Sequence, residues 1–244
     1  MFELLRSQYS YSLASRIWGF VLDEDKIGDE ILFDFFADIN KLAKPQKSTA
    51  LHDLIYNVFT NDLDYSTGSF PDLEVGTYRA LLNEAGMPIP KWLNSDKVAK
   101  HIAELDEMLS QAAKVVIPST FFLLYSDRAF LSDFQNLASR YIKKFRSSEH
   151  PHLFSKDGSL KRLKYIPGWL KSAVFHRDKG RCQLCFKDMT GLREPVRDLE
   201  LDHIIPLALS GSNDPTNFQL VCRTCNRSKG PNRKSTKPRF IPYW

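Results

Sequence analysis

Through the first 145 residues, apolar positions recur mostly at three- and four-residue intervals, the spacing of one helix face. Leu4, Leu5, Leu13, Ile17 and Val21 mark a helix within residues 2–22, and Ile31, Phe33, Phe35, Phe36, Ile39 and Leu42 mark a second over 31–42. Residues 51–59 form a further short apolar segment, and residues 61–72, rich in Asp, Ser, Thr, Gly and Pro, read as a loop. A helix is expected over 75–85, stopped by Pro88 and Pro90. Another follows a cap at Asn94 or Ser95 and carries Val98, Ile102, Leu105 and Leu109. Residues 115–125 suit a buried strand or a helix, and Phe134, Leu137, Tyr141 and Ile142 give 130–145 helical spacing. We read this whole region as helix, with its stripes forming core and with no role for His52 or His101.

The pattern changes after Arg146. Ser147, Ser148, Pro151, Gly158 and Ser159 interrupt the apolar stripes, and the following residues turn basic. The expected division is a helical domain over 1–147, a linker over 148–164, a second domain over 165–232 and a basic, aromatic tail over 233–244. The expected class is therefore α+β, a mostly helical part followed by a small domain with strand-like residues around 199–207 and 218–221. A chain of 244 residues is long enough for one large or two small domains. Its 43% hydrophobic and 26% charged residues exclude global disorder and fibrous repeats. No run reaches the roughly 18 apolar residues of a membrane span. Residues 1–9 hold Glu3 and Arg6 and do not resemble a secretory signal, so a cytoplasmic protein is expected.

The net charge of +5 conceals an asymmetry. Residues 1–139 carry −8, and residues 140–244 carry +13. A basic half joined to an acidic one points the C-terminal part at a polyanion, nucleic acid first.

All four cysteines lie in that basic part, as the pairs Cys182/Cys185 and Cys222/Cys225 with 36 residues between them. Two residues between thiolates let one turn aim both sulfurs at a single ion, and four sulfurs close the tetrahedral shell of structural zinc. Disulfides are disfavoured in a reducing compartment, and two matched pairs without a βαβ pattern do not read as a thioredoxin-like redox site. A closed tetrathiolate site leaves zinc no open position, so chemistry must come from the residues between and after the pairs.

Those residues are distinctive. Asp202-His203-Ile204 is followed by Pro206 and Asn217, and Cys225 is followed directly by Asn226 and then Lys229. Together with the two cysteine pairs they resemble the four-cysteine branch of the HNH endonucleases over residues 165–230, and the run Ile166 to Arg181 is similar to the helix and turn that lead into the first pair of that family. The resemblance implies a ββα-metal finger, with a hairpin around Asp202 and His203 returning through Phe218 to Cys222 and a helix from about Arg223. Strand-like residues flanking the turn-rich stretch 210–216 agree with it, and Gly230 with Pro231 would end the helix.

The resemblance also implies roles. His203, whose ordinary pKa near about 6.5 suits proton transfer at neutral pH, is the expected general base that activates water. Asp202 and Asn226 are expected to hold a divalent ion, Mg2+ or Mn2+, since both present hard oxygen donors. In a regular strand Asp202 and His203 would point to opposite faces. Asn217 is expected to hydrogen-bond across the loop and fix the hairpin. Many family members end in His where this chain has Asn226, which makes it an H-N-N version.

Basic residues surround the finger. Arg177, Lys179, Arg181, Arg223, Arg227, Lys229, Arg233 and Lys234 are candidate phosphate contacts, which give affinity without sequence information. The function expected from the resemblance is a metal-dependent endonuclease acting on double-stranded DNA; a phage-defence or restriction-like setting is an expectation from context, drawn from the acidic helical domain and not from the site's chemistry. The acidic helical domain would then contact a protein partner or a second copy of the chain. The alternatives are a zinc-stabilised nucleic-acid-binding module that does not cut, and a nuclease or toxin directed at RNA.

Overall fold

A computed structural model describes residues 8–22, 36, 38–69, 74–94, 98–191 and 199–230. The α+β expectation holds: helices dominate, and a two-stranded antiparallel sheet lies in the C-terminal part. The helices are α1 (Gln8–Leu22), α2 (Ile39–Ala43), α3 (Ala50–Ser69), α4 (Val75–Glu84), α5 (Ile102–Ser126), α6 (Arg128–Ile142), α7 (Gly168–Arg177) and α8 (Arg223–Lys229), with strands β1 (Leu199–His203) and β2 (Phe218–Cys222) between the last two.

The chain divides into two compact units, one of residues 1–20 and 51–124, the other of residues 21–50 and 125–244. Segments from both sides of the expected 148–164 linker thus pack together with the finger.

The first unit is helical. Leu13, Ile17, Leu54, Ile55, Tyr78, Leu81 and Leu82 are fully buried in it. Glu84 caps the start of α1, accepting from the Tyr9 and Ser10 N–H groups at 2.9 and 3.1 Å and from the Ser10 hydroxyl. The expected loop over 61–72 is instead helical as far as Ser69. Local polarity loses here because a polar group of the stretch finds a partner on a neighbouring helix: Asp62 pairs with Arg16 of α1 at 2.9 Å. Residues 115–125, open between strand and helix, continue α5 with Pro118 inside it. That helix is long and apolar enough to cross a membrane by length and composition alone. It nevertheless buries the one-faced stripe Leu105, Leu109, Ala112, Val116, Thr120 and Leu124, the pattern of a helix packed on a protein core.

The second unit carries the finger. Helix α6 is capped by Asp127, whose carboxylate accepts from the Ala129 and Phe130 N–H groups, an arrangement worth about 1 kcal/mol. It buries Phe130, Phe134, Leu137 and Tyr141, and Phe36 packs against Phe134 and Tyr141 at 5.6 and 5.3 Å between ring centroids. Helix α7 lays Leu170 and Val174 on β2, where they join Phe218, Leu220, Val221, Cys182 and Met189 in one buried cluster. The hairpin register pairs Leu199 with Cys222, Leu201 with Leu220, and His203 with Phe218. The expectation drawn from the resemblance, a hairpin through Asp202 and His203 followed by a helix from Arg223, matches these elements.

Candidate active site

The site is built on the cysteine frame. Lys179 and Gly180 leave α7 in left-handed conformations, with φ of 55° and 61°. Any Cβ at position 180 would stand 2.6 Å from Thr190 Cγ2, so only glycine fits. The chain then turns tightly through the first pair: Phe186 N–H donates to the Cys182 carbonyl at 2.8 Å and Cys182 N–H to the Lys187 carbonyl at 3.0 Å. Cys222 ends β2 and caps α8, its sulfur accepting from the Cys225 N–H at 3.5 Å.

These turns bring all four sulfurs within 4.8 Å of one another. Cys185 Sγ and Cys222 Sγ are 3.8 Å apart. A tetrahedron with Zn–S bonds of about 2.3 Å has edges of about 3.8 Å, whereas a disulfide is about 2.05 Å. The four thiols therefore fit zinc and not a pair of disulfides. Burial raises the Cys182 thiol, but N–H groups of Cys185, Cys222 and Leu184 outweigh it and bring that thiol down to about 7.

Residues 204–217 connect the strands, and their conformation is fixed by polar groups with no exposure. Asn217, fully buried, accepts from the Ile205 N–H at 2.9 Å and donates from Nδ2 to the Ile205 and Ser212 carbonyls at 2.9 and 2.8 Å. Its own carbonyl accepts from the Ile204 N–H at 2.7 Å. Asn217 thus ties both ends of the connection together directly behind His203. Gly211 lets the backbone cross itself, since a Cβ there would lie 1.9 Å from the Ile205 carbonyl oxygen. Residues outside the finger complete the frame. Gln135 of α6 donates to Thr216 Oγ1 at 2.7 Å and accepts from Ser212 Oγ at 2.8 Å, while Asp214 accepts from the Ala50 N–H at 2.9 Å.

His203, at the end of β1, packs on Phe218 with 4.5 Å between ring centroids. Its Nε2 lies 3.2 Å from Asn213 Oδ1. Burial pushes the imidazole down to about 4, against the opposing pull of the Asn213 hydrogen bond and the Asp202 carboxylate; the Arg162 and Lys229 charges add to the fall. The ring is therefore neutral near pH 7.

Asp202 and Glu200 share one face of β1, opposite α8. Asp202 Oδ2 accepts from Lys229 Nζ at 2.6 Å and from Gln219 Nε2 at 3.1 Å. Glu200 accepts from Asn226 Nδ2 at 2.7 Å and from Arg223 at 3.2 Å. Both acids thus hold α8 against the hairpin. Asp202, His203 and Asn226 nevertheless line one cavity of about 320 Å³, with Arg162, Ile166 and Leu207 among its other walls. The expected separation of Asp202 from His203 onto opposite faces does not keep them apart, because His203 is the last residue of β1 and both reach that cavity. Oxygen donors from Asp202 and Asn226 beside a neutral imidazole suit a hard divalent ion.

The structure buries two of the candidate phosphate contacts against the domain's own acids. The Arg177 side chain is 2% exposed, held by Asp178 at 2.8 Å, by the Phe218 carbonyl, and over the Tyr125 ring at 4.8 Å. Lys229, also 2% exposed in its side chain, is consumed by Asp202 and the His203 carbonyl. A cation on a helix next to an acid is pulled inward when the pair closes a core. Lys179 and Arg227 are exposed, Arg223 is exposed but paired to Glu200, and Arg181 is partly buried. Arg233 and Lys234 lie outside the described residues. Sequence reasoning missed Glu200, whose two-residue spacing from Asp202 was a usable signal, and Asn213, for which spacing offered none.

Residues 181–232 match the family model described as HNH endonuclease. The strand–strand–helix order, the four-thiol frame and the Asp-His strand end all fall inside that match. Comparison of the chain with curated proteins and with solved structures returns no match. The segment is thus an HNH-type domain, a class that acts on nucleic acids.

Proposed function

We propose that this protein is a metal-dependent endonuclease that hydrolyses phosphodiester bonds in DNA. The observation that carries the reading is the shared cavity: a neutral, partly buried imidazole from His203 beside oxygen donors from Asp202 and Asn226, in a domain held by four thiols that fit zinc. Hydrolysis needs an activated water, a stabilised leaving oxygen and neutralisation of the phosphoryl charge. Bound to Asp202 and Asn226, Mg2+ or Mn2+ would supply that neutralisation. His203 takes a proton from water as the water oxygen bonds to phosphorus. The bond from phosphorus to one ester oxygen then breaks, and that oxygen gains a proton from solvent. Asn217 keeps the connection behind His203 in shape, and the exposed cations Lys179 and Arg227 meet the phosphate backbone.

The test is plasmid cleavage by zinc-loaded protein with Mg2+, Mn2+ or no added ion, beside His203→Ala and with a structured RNA as a second substrate. Ion-dependent nicking of DNA that disappears in the variant is the expected result. Binding of DNA without cleavage under any ion would favour a non-cutting module, and preferential loss of the RNA would move the substrate class.

A further inference from the structure

We infer that Asn213 is the positioning residue for His203, that it leaves Nδ1 as the ring nitrogen that takes the proton, and that it is itself held by parts of the chain outside the HNH-type segment. The inference rests on the nuclease reading for the word base, but the contact stands on its own geometry. Asn213 is fully buried, and its amide nitrogen donates to two backbone carbonyls, Ala43 at 3.0 Å and Lys161 at 2.9 Å. Carbonyl oxygens only accept, so the nitrogen end of this amide is fixed and cannot be exchanged with the oxygen end. The oxygen end therefore faces His203 Nε2 at 3.2 Å. Two acceptors would repel at that distance, so Nε2 must carry the hydrogen and donate it. A neutral imidazole has one protonated nitrogen, which leaves the Nδ1 lone pair bare.

The anchors are remote in sequence. The Asn213 backbone N–H donates to the Leu42 carbonyl at 2.7 Å, which adds a second bond to α2. Both carbonyls from α2 and the one from Lys161 precede the matched residues 181–232. Four hydrogen bonds thus engage Asn213, using every one of its N–H groups, and three of them end outside the finger. The ring is clamped between this amide and the face of Phe218, which fixes its tilt as well as its tautomer. The catalytic unit on this account is the finger together with the end of α2 and the backbone at Lys161. Misorientation of a base by about 1 Å can cost on the order of a hundredfold in rate, which gives the size of the effect.

The experiment uses the full zinc-loaded chain. A long-range proton–nitrogen NMR spectrum of the histidine rings at neutral pH should show His203, recognised as the ring missing in His203→Ala, with Nε2 protonated, Nδ1 bare and a ring N–H shielded from exchange with water. A protonated Nδ1, or a ring proton that exchanges freely, overturns the inference without recourse to any variant at position 213. Asn213→Ala that still holds zinc and binds DNA is expected to lose the shielded proton and to cleave plasmid with kcat lowered roughly tenfold to a hundredfold and KM changed by less than about twofold. An unchanged kcat in that variant, beside a dead His203→Ala, overturns the positioning role and leaves the nuclease reading intact. A wild-type protein that shows the shielded proton and cuts neither DNA nor RNA overturns the base role of Nδ1 together with the nuclease reading.

Discussion

Asn226 Nδ2 donates to Glu200 Oε2 at 2.7 Å across the seam between α8 and β1. An amide whose nitrogen is engaged by a carboxylate has its oxygen on the other side, and Asn226 also lines the cavity shared with Asp202 and His203. Glu200 therefore sets which end of the Asn226 amide would be available to the divalent ion proposed above. Partners of this kind, behind the ligands, commonly govern affinity by roughly tenfold to a hundredfold when removed.

Glu200→Ala is expected to weaken Mn2+ binding by about that factor, because the freed amide can turn its nitrogen toward the cavity. Titration calorimetry with Mn2+ on zinc-loaded protein measures it directly. Zinc content should stay at one ion per chain, since Glu200 touches none of the cysteines' hydrogen bonds described above. A variant with unaltered Mn2+ affinity would remove Asn226 from the ion site.

The division between what the sequence disclosed and what it hid follows contact distance along the chain. Cys182, Cys185, Cys222 and Cys225 announce their geometry because each pair closes within one turn, and Asp202-His203 with Asn217 sits in a hairpin whose strand-like residues flank a turn-rich stretch. Asn213 is invisible by the same standard. Its importance comes from carbonyls at positions 42, 43 and 161, which no local spacing encodes. Charge was legible, but direction was not: Arg177 and Arg227 look alike in the sequence, yet one is buried on Asp178 and the other is exposed. The stretch 61–69 reads as loop by composition and folds as helix, with Asp62 paired to Arg16 of α1, a partner that composition does not show.

The His203 imidazole, held down to about 4 chiefly by burial, makes stability depend on pH with a definite sign. In the unfolded chain the same ring titrates near about 6.5. Between these values the unfolded state binds more protons, so stability is fully present above about 6.5 and is lost as pH falls toward about 4. The loss from this one group between pH 7 and pH 5 is on the order of 1–2 kcal/mol. Urea unfolding of the wild type and of His203→Gln at those two pH values isolates it, and the variant should show the smaller decline. Equal declines would place the ring in contact with water.

Removal of zinc should abolish the site without touching its ligands to the second ion. Cys222 is one of the four thiols placed to hold zinc and also caps α8, so releasing its sulfur is expected to unseat the helix that carries Asn226. Cys225→Ser is expected to lose zinc to a chromophoric chelator at concentrations the wild type resists, and to lose Mn2+ binding and DNA cleavage with it. Apparent free energies for structural zinc are about 10–16 kcal/mol, enough to decide whether a finger of this size folds. Retained Mn2+ binding in zinc-free protein would show that the hairpin and α8 stand by themselves.

The salt dependence of DNA affinity separates cations that meet phosphate from those that hold the fold. Each phosphate contact contributes a slope of about −0.9 in log K against log salt. Arg227 is exposed on α8, so Arg227→Ala should reduce the magnitude of the slope by about 1 while leaving stability within about 0.5 kcal/mol. Arg177→Ala and Lys229→Met should leave the slope alone, because both side chains are spent inside the domain on Asp178 and Asp202. Each instead strands a partly or wholly buried carboxylate, a change that costs about 3–5 kcal/mol where burial is complete, and less for Asp202, which keeps some exposure. Fluorescence anisotropy of a labelled duplex across salt, paired with urea unfolding of the same variants, gives both quantities. A slope lowered by Lys229→Met at wild-type stability would return that lysine to the DNA face and would leave Asp202 without its cation in the DNA complex.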